Sequence, residues 1–154
     1  RTRNRLIKEG ELDALLQVVA KIAEEKVVDA ITSPEILAAL LMDDMARLEQ
    51  EELWIALLDT RSRLIKIDHL YKGSLNASIV RIGEMFKTAI RENAAAVIMI
   101  HNHPSGDPKP SLEDIELTTA AAKAGELLNI TLTDHLVIGA GQYVSMRTMG
   151  GVFA

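Results

Sequence analysis

Two histidines separated by one residue follow an apolar run, and they are the residues of this chain best suited to bind a metal. His101 and His103 come directly after residues 94–100, whose length and β-branched content predict a buried central strand. Because side chains alternate across a strand, we expect both imidazoles on one face, where they can converge on one ion. The 154 residues include no cysteine, so any transition metal must be held by His, Asp or Glu.

A stiff loop and the start of a helix come next. The loop contains a glycine and three prolines within seven residues, which favours a fixed turn over a flexible linker. Ser111 then begins a predicted helix, and Asp114 lies one turn into it. A strand, a rigid return and a helix start can bring this carboxylate beside the two histidines. Two imidazoles and one carboxylate with an open fourth position make a catalytic zinc site, in which bound water has a pKa of about 7.

Each of these residues also has a simpler interpretation. A His-x-His pair occurs by chance on many surfaces. Ser111 and Asp114 fit a helix N-cap with an acidic residue in the first turn, which needs no metal. Asp107 fits a turn residue, but it is close enough to be a rival ligand. His69 and His135 have no neighbouring ligand pattern, so we expect each to be a hydrogen-bonded structural histidine.

The elements that must position these residues alternate between helix and strand. Apolar residues at helical spacing predict a helix over residues 11–26, and Ser33 with Pro34 predicts the start of a second. The chain is therefore expected to be α/β or α+β, with a central mixed sheet flanked by helices. We divide it into an N-terminal helical segment, residues 1–45, and a domain over residues 46–154. The other expected elements are strands at 53–58, 64–70, 94–100, 131–138 and 142–146, and helices at 83–93 and 111–128.

Composition and charge exclude several classes of protein. Hydrophobic residues make up 48% and charged residues 25% of the chain, which excludes a disordered protein. The net charge of −5 argues against a non-specific nucleic-acid binder, but it does not exclude a local basic patch. No apolar run approaches the roughly 20 residues that span a bilayer, and no signal-peptide pattern is present, so we expect a cytoplasmic protein. Because the first residue is Arg1, we expect sequence to precede it in the whole protein.

Taken together, the motif is more specific than its parts. His-x-His, seven residues, Ser, two residues and Asp resembles the motif of the JAB/MPN (JAMM) metalloprotease superfamily. The fuller string His-Asn-His-Pro-Ser-Gly-Asp-Pro-x-Pro-Ser-x-x-Asp resembles its bacterial RadC branch. The resemblance covers about residues 51–144, including 57–65, 73–76, 93–98 and 134–139. It implies an MPN/JAB-like fold and a zinc hydrolase in which His101, His103 and Asp114 ligate zinc and Ser111 helps to hold an oxyanion.

The family also has an upstream glutamate that takes the proton from the zinc-bound water. By position it precedes the strand at residues 53–58, which makes Glu51 the expected general base. Strand alternation would point the adjacent Glu52 to the opposite face. Glu84, at the start of the middle helix, is the remaining rival.

Three classes of function stay in view. The first is a zinc-dependent peptidase or isopeptidase that acts on a peptide or protein substrate. The second is a DNA-repair-associated protein, and the third is a non-catalytic MPN scaffold. RadC-like proteins commonly carry a helix-hairpin-helix segment associated with DNA, whereas residues 1–45 show no glycine-centred hairpin of that kind. The sequence therefore favours the hydrolase, with no membrane partner.

Overall fold

The computed structural model describes Ala14, Gln17 and residues 30–75 and 78–153. The helix expected over residues 11–26 lies outside the described residues, apart from Ala14 and Gln17, which are helical. None of the described helices is both long enough and apolar enough to cross a membrane. In chain order the elements are α1 (Pro34–Ala46), β1 (Glu52–Leu58), β2 (Leu64–Lys72), α2 (Ile82–Arg91), β3 (Ala96–Asn102), α3 (Leu112–Leu128), β4 (Thr131–Ile138), β5 (Tyr143–Ser145) and α4 (Met146–Met149).

The described strands form one five-stranded sheet in the order β2-β1-β3-β4-β5. Strands β3 and β4 are parallel, and the other three neighbouring pairs are antiparallel. Two parallel strands need a crossover connection, and α3 provides it. The loop between β3 and α3 therefore leaves the carboxyl end of a central strand and returns to a helix N-terminus beside it. This connection contains the His-x-His motif, the proline-rich loop and Asp114.

Helices cover both faces of the sheet, which confirms the predicted mixed sheet flanked by helices. Strands β1 and β3 are buried along almost their whole length, and this explains why both appear in the sequence as continuous apolar runs. One face packs against α2 and α3 through Leu53, Ile55, Leu57, Val97, Met99, Met85, Phe86, Ala89, Leu117 and Ala121. The other packs against α1 through Trp54, Ala56, Leu58, Ile98, Ile100, Leu37, Ala38, Leu41 and Met45.

Helix α1 thus contributes to a core that it shares with the sheet. The division between residues 45 and 46 stays a prediction.

Strand β3 continues two residues beyond the apolar run that predicted it, because His101 and Asn102 still pair with Val137 and Ile138 of β4. Both side chains are polar but buried, with exposures of 0% and 2%, so the strand ends at Asn102 without an apolar residue there. His101 consequently lies inside the sheet, while His103 begins the loop. The first histidine is therefore fixed by strand pairing, and the second depends on the loop.

Gly139, directly after β4, allows this loop to pack closely against the sheet. A Cβ atom at Gly139 would lie 2.3 Å from the carbonyl oxygen of Gly106 and 2.9 Å from Cδ of Pro108. The same Gly106 oxygen accepts a hydrogen bond of 2.9 Å from the Ala140 amide. The loop backbone cannot move away without breaking this hydrogen bond, so the position requires a residue without a Cβ atom, which is glycine.

We predict that Gly139→Ala lowers the free energy of unfolding by about 1–3 kcal/mol, because the added methyl group overpacks this contact. Urea denaturation would measure the change. Gly83→Ala is the matched control, since nothing lies within 4 Å of its Cβ position and alanine is favoured in a helix. Equal stability of the two variants would contradict the proposed role of Gly139.

Candidate metal centre

Four side chains from three separate segments converge at the carboxyl end of β3. Glu51 precedes β1, His101 lies in β3, His103 begins the following loop, and Asp114 is in the first turn of α3. One ligand atom of each lies within 4.8 Å of the others. The three expected ligands and the expected general base are thus brought together.

The distances between these atoms suit a small transition-metal ion. The Nε2 atoms of His101 and His103 are 2.9 Å apart. Asp114 places Oδ1 3.1 Å from His101 Nε2 and Oδ2 3.3 Å from His103 Nε2. A tetrahedral ion with bonds of about 2.0–2.1 Å has ligand atoms roughly 3.3–3.4 Å apart. The donors lie slightly closer together than this, so a small outward movement would let them hold such an ion. Their chemistry does not select zinc over other imidazole-binding metals.

Asp114 caps its own helix and also contacts both histidines. Its amide donates to Ser111 Oγ at 3.1 Å, and its Oδ2 atom accepts from the Ser111 amide at 2.6 Å. Burial opposes ionisation of Asp114, but hydrogen bonds from His101 and His103 outweigh it and hold the pKa of this carboxyl well below its usual range. The capping interpretation and the ligand interpretation therefore describe the same carboxylate.

The loop fixes the orientation of His103. Its Nδ1 atom lies 2.9 Å from the carbonyl oxygen of Asp107, which can only accept, so Nδ1 carries the proton. The Nε2 atom then faces the cluster, 3.3 Å from Asp114 Oδ2. The hydrogen bond with Asp114 raises the pKa of His103 despite partial burial. The Asp107 carboxylate accepts from the Lys109 amide at 3.0 Å, as a turn residue does, and it is outside the four-residue cluster.

A buried hydrogen-bond chain fixes the orientation of His101. Its Nδ1 atom lies 2.7 Å from His135 Nε2, and His135 Nδ1 lies 2.6 Å from the Thr118 hydroxyl oxygen. The Thr118 hydroxyl donates to the Asp114 carbonyl oxygen at 2.5 Å. The direction of the whole chain follows: His135 donates to Thr118, and His101 donates to His135. His101 Nε2 thereby faces the cluster, 3.1 Å from Asp114 Oδ1.

His135 is hydrogen-bonded and buried, as expected, but its partner is a residue of the site. Complete burial and the neighbouring imidazole of His101 lower the pKa of His135 well below its usual range, which agrees with a neutral ring. The sequence offered a weak indication of this contact. His135 lies on the strand that pairs with β3, and Thr118 follows Asp114 by four residues, which places it on the same face of α3.

Of the three candidate glutamates, only Glu51 reaches the cluster. Its Oε1 atom is 3.7 Å from His101 Nε2, and its Oε2 atom accepts from the Leu75 amide at 3.4 Å. Glu84 is instead hydrogen-bonded to the Tyr71 hydroxyl on the outer side of α2 and is outside the four-residue cluster.

Glu52 points to the other face of the sheet, as strand alternation requires. Its Oε2 atom accepts from Trp54 Nε1 at 2.9 Å, and its Oε1 atom is 3.9 Å from Lys72 Nζ. The His69 ring stacks on Trp54 with a centroid distance of 3.9 Å, which agrees with a structural role. This histidine does not belong to the cluster.

We predict that Thr118→Val weakens metal binding about 10- to 100-fold, because it breaks the chain that orients His101. Thr119→Val is the matched control: it changes the neighbouring residue of the same helix, whose hydroxyl bonds only to the Ile115 carbonyl among the hydrogen bonds described. Competition titration against a chromophoric chelator would measure both affinities. Wild-type affinity in Thr118→Val would show that the chain does not support the site.

Comparison with known proteins identifies the family of this chain. The family model described as the RadC-like JAB domain matches residues 31–151. The UPF0758 protein of Chloroflexus aurantiacus is 47% identical over 145 residues, which cover 93% of this chain and 63% of that protein. The UPF0758 protein of Roseiflexus castenholzii is 55% identical over 123 residues, which cover 80% of this chain and 53% of that protein. The UPF0758 protein of Clostridium beijerinckii is 41% identical over 150 residues, which cover 94% of this chain and 66% of that protein. The chain thus spans less than two thirds of the length of these relatives. The family match over residues 31–151 shows that the chain belongs to the RadC-like JAB domain family.

Proposed function

We propose that this domain is a zinc-dependent hydrolase of the JAMM type that cleaves a peptide or isopeptide amide bond. The observation that carries the proposal is the convergence of His101, His103 and Asp114 with a second carboxylate, that of Glu51. Membership of the JAB family supports it, because the JAB/MPN superfamily includes metalloproteases.

His101, His103 and Asp114 would hold the ion. The hydrogen bonds described above occupy both Nδ1 atoms, so the ion would bind at the Nε2 atoms in place of their hydrogen bonds to Asp114, and the low pKa of Asp114 keeps it anionic. Two neutral ligands and one anion leave a net positive charge at a divalent ion. A bound zinc would polarise the substrate carbonyl and lower the pKa of its water to about 7.

Glu51 would move the proton. Its carboxylate is partly exposed and lies next to His101, so it can reach both the ion and an incoming substrate. It would accept a proton from the attacking water and deliver that proton to the leaving amine nitrogen, which lets the C–N bond break without releasing an amide anion. General acid–base assistance of this kind contributes about 10²–10⁴-fold in rate.

Ser111 would stabilise the oxygen of the attacked carbonyl. Its hydroxyl oxygen accepts from the Asp114 amide, so the hydroxyl proton is not used in that bond. Ser111 also caps a 17-residue helix, and the positive end of the helix dipole favours negative charge at this position. The loss of a principal oxyanion donor costs roughly 10²–10³-fold in rate.

We predict that the purified protein binds about one zinc ion, and that the double variant His101→Ala/Asp114→Ala loses it. Removal of an imidazole and the carboxylate leaves too few ligands for a stable site. Elemental analysis after dialysis would measure the zinc content. Full zinc occupancy in the double variant would show that these residues are not the ligands.

We further predict that Glu51→Gln keeps its zinc and its fold but loses nearly all hydrolysis, because the amide cannot accept the proton. A library of quenched fluorescent peptides would supply the substrates. Glu84→Gln is the matched control, since Glu84 lies outside the cluster. If Glu84→Gln were inactive while Glu51→Gln stayed active, the base would be Glu84. Zinc binding by the wild type without cleavage of any peptide would favour the scaffold alternative.

None of the contacts in the described residues favours a DNA-repair-associated role. That role therefore stays a prediction from the sequence.

A further inference from the structure

The residue between the two histidines is a buried asparagine that makes two long-range hydrogen bonds. Asn102 is 2% exposed. Its Nδ2 group donates to the carbonyl oxygen of Gln50 at 2.9 Å, and its Oδ1 atom accepts from the amide of Glu52 at 2.7 Å. The two backbone groups belong to the residues immediately before and after Glu51.

These bonds lie where the pairing of β1 with β3 ends. The register of the two strands runs from Leu58 opposite Ala96 to Leu53 opposite His101 and stops there. The pairing of this segment with β4 continues further, and the His103 amide donates to the Ile138 carbonyl oxygen at 2.8 Å. The Asn102 side chain replaces the missing backbone pairing, since a primary amide offers a donor and an acceptor as a peptide group does.

The consequence falls on Glu51, which is held between the two attachment points. Its own carbonyl oxygen accepts from the Gly73 amide on the β2 side at 2.7 Å. The backbone at residues 50–52 is thus bound from both neighbouring strands, and the Glu51 carboxylate extends from it toward His101. Asn102 is also covalently joined to both histidines. One side chain therefore links the backbone that bears the metal ligands to the backbone that bears the carboxylate.

We propose that Asn102 is a positioning residue that sets the distance between the Glu51 carboxylate and the metal centre. The proposal rests on the function proposed above, in which Glu51 acts beside the ion. It explains why an asparagine suits this position and an aspartate does not. An aspartate could still accept from the Glu52 amide, but its second oxygen would face the Gln50 carbonyl oxygen, and two acceptors repel each other.

The test uses the cobalt(II)-substituted protein, whose visible spectrum reports the ion's immediate surroundings. Spectra are recorded at one pH for the wild type, Glu51→Gln, Asn102→Asp and the double variant Glu51→Gln/Asn102→Asp. Asn129→Asp is the matched control, because it makes the same chemical change at an exposed residue at the end of α3. Circular dichroism checks the fold, and cobalt titration checks the stoichiometry.

We expect Asn102→Asp to bind one cobalt ion and to change the spectrum in the same direction as Glu51→Gln. The double variant should match Glu51→Gln alone, since residues that act through one group are not additive. Asn129→Asp should match the wild type. On any peptide that the wild type cleaves, kcat of Asn102→Asp should fall about 10²-fold with KM unchanged, as misplacement of a catalytic group by about 1 Å can cause.

A wild-type spectrum in Asn102→Asp, while Glu51→Gln differs, would overturn the proposal and leave the proposed hydrolase intact. Additive changes in the double variant would overturn it too, because Asn102 would then act independently of Glu51. Failure of the wild type to bind cobalt would instead overturn the proposed metal centre, and the inference with it. If Asn102→Asp does not fold, Asn102→Ser replaces it; loss of the fold in both would show that Asn102 maintains the sheet and does not position Glu51.

Discussion

The site depends on keeping the Asp114 carboxylate buried and charged. A carboxylate that is 2% exposed is costly unless it is paired and hydrogen-bonded. Here the Ser111 amide and the Nε2 groups of two imidazoles supply the partners, and a bound cation would take the place of the Nε2 protons. Within the part of the chain that the structure describes, no buried side-chain nitrogen or oxygen lacks a hydrogen-bond partner.

The fold supplies this environment through one crossover. Helix α3 must begin beside the carboxyl end of β3, because it connects β3 to its parallel neighbour β4. The capping box at the start of α3 then holds the Asp114 carboxylate beside His101. The close approach of the loop to Gly139 and the hydrogen bond from His103 to Asp107 fix the remaining imidazole. Hydrogen bonds of this kind orient side chains that can bind a metal.

Much of this arrangement could be predicted from local patterns. The spacing of His101, His103 and Asp114 on a strand, a stiff loop and a helix start predicted their proximity, and the structure brings them together. Strand alternation likewise separated Glu51 from Glu52. Continuous apolar runs located β1 and β3 because both strands are buried on two faces.

The supporting residues could not be predicted in the same way. The chain from His101 through His135 to Thr118 joins residues 34 and 17 positions apart, and the Asn102 bonds span 50 and 52 positions. No local periodicity encodes such contacts, which depend on the pairing order of the sheet. The end of β3 was missed for a related reason: hydrophobicity does not indicate a buried polar residue whose partners are distant in sequence.

The central claim is that the two imidazoles and the Asp114 carboxylate bind one metal ion in preference to pairing only with one another. X-ray absorption spectroscopy of the zinc-loaded protein tests it most directly, because it reports the atoms bound to the ion. We expect two imidazole nitrogens and one or two oxygens at about 2.0–2.1 Å. A spectrum that contains only oxygen neighbours, with no imidazole scattering, would contradict the account.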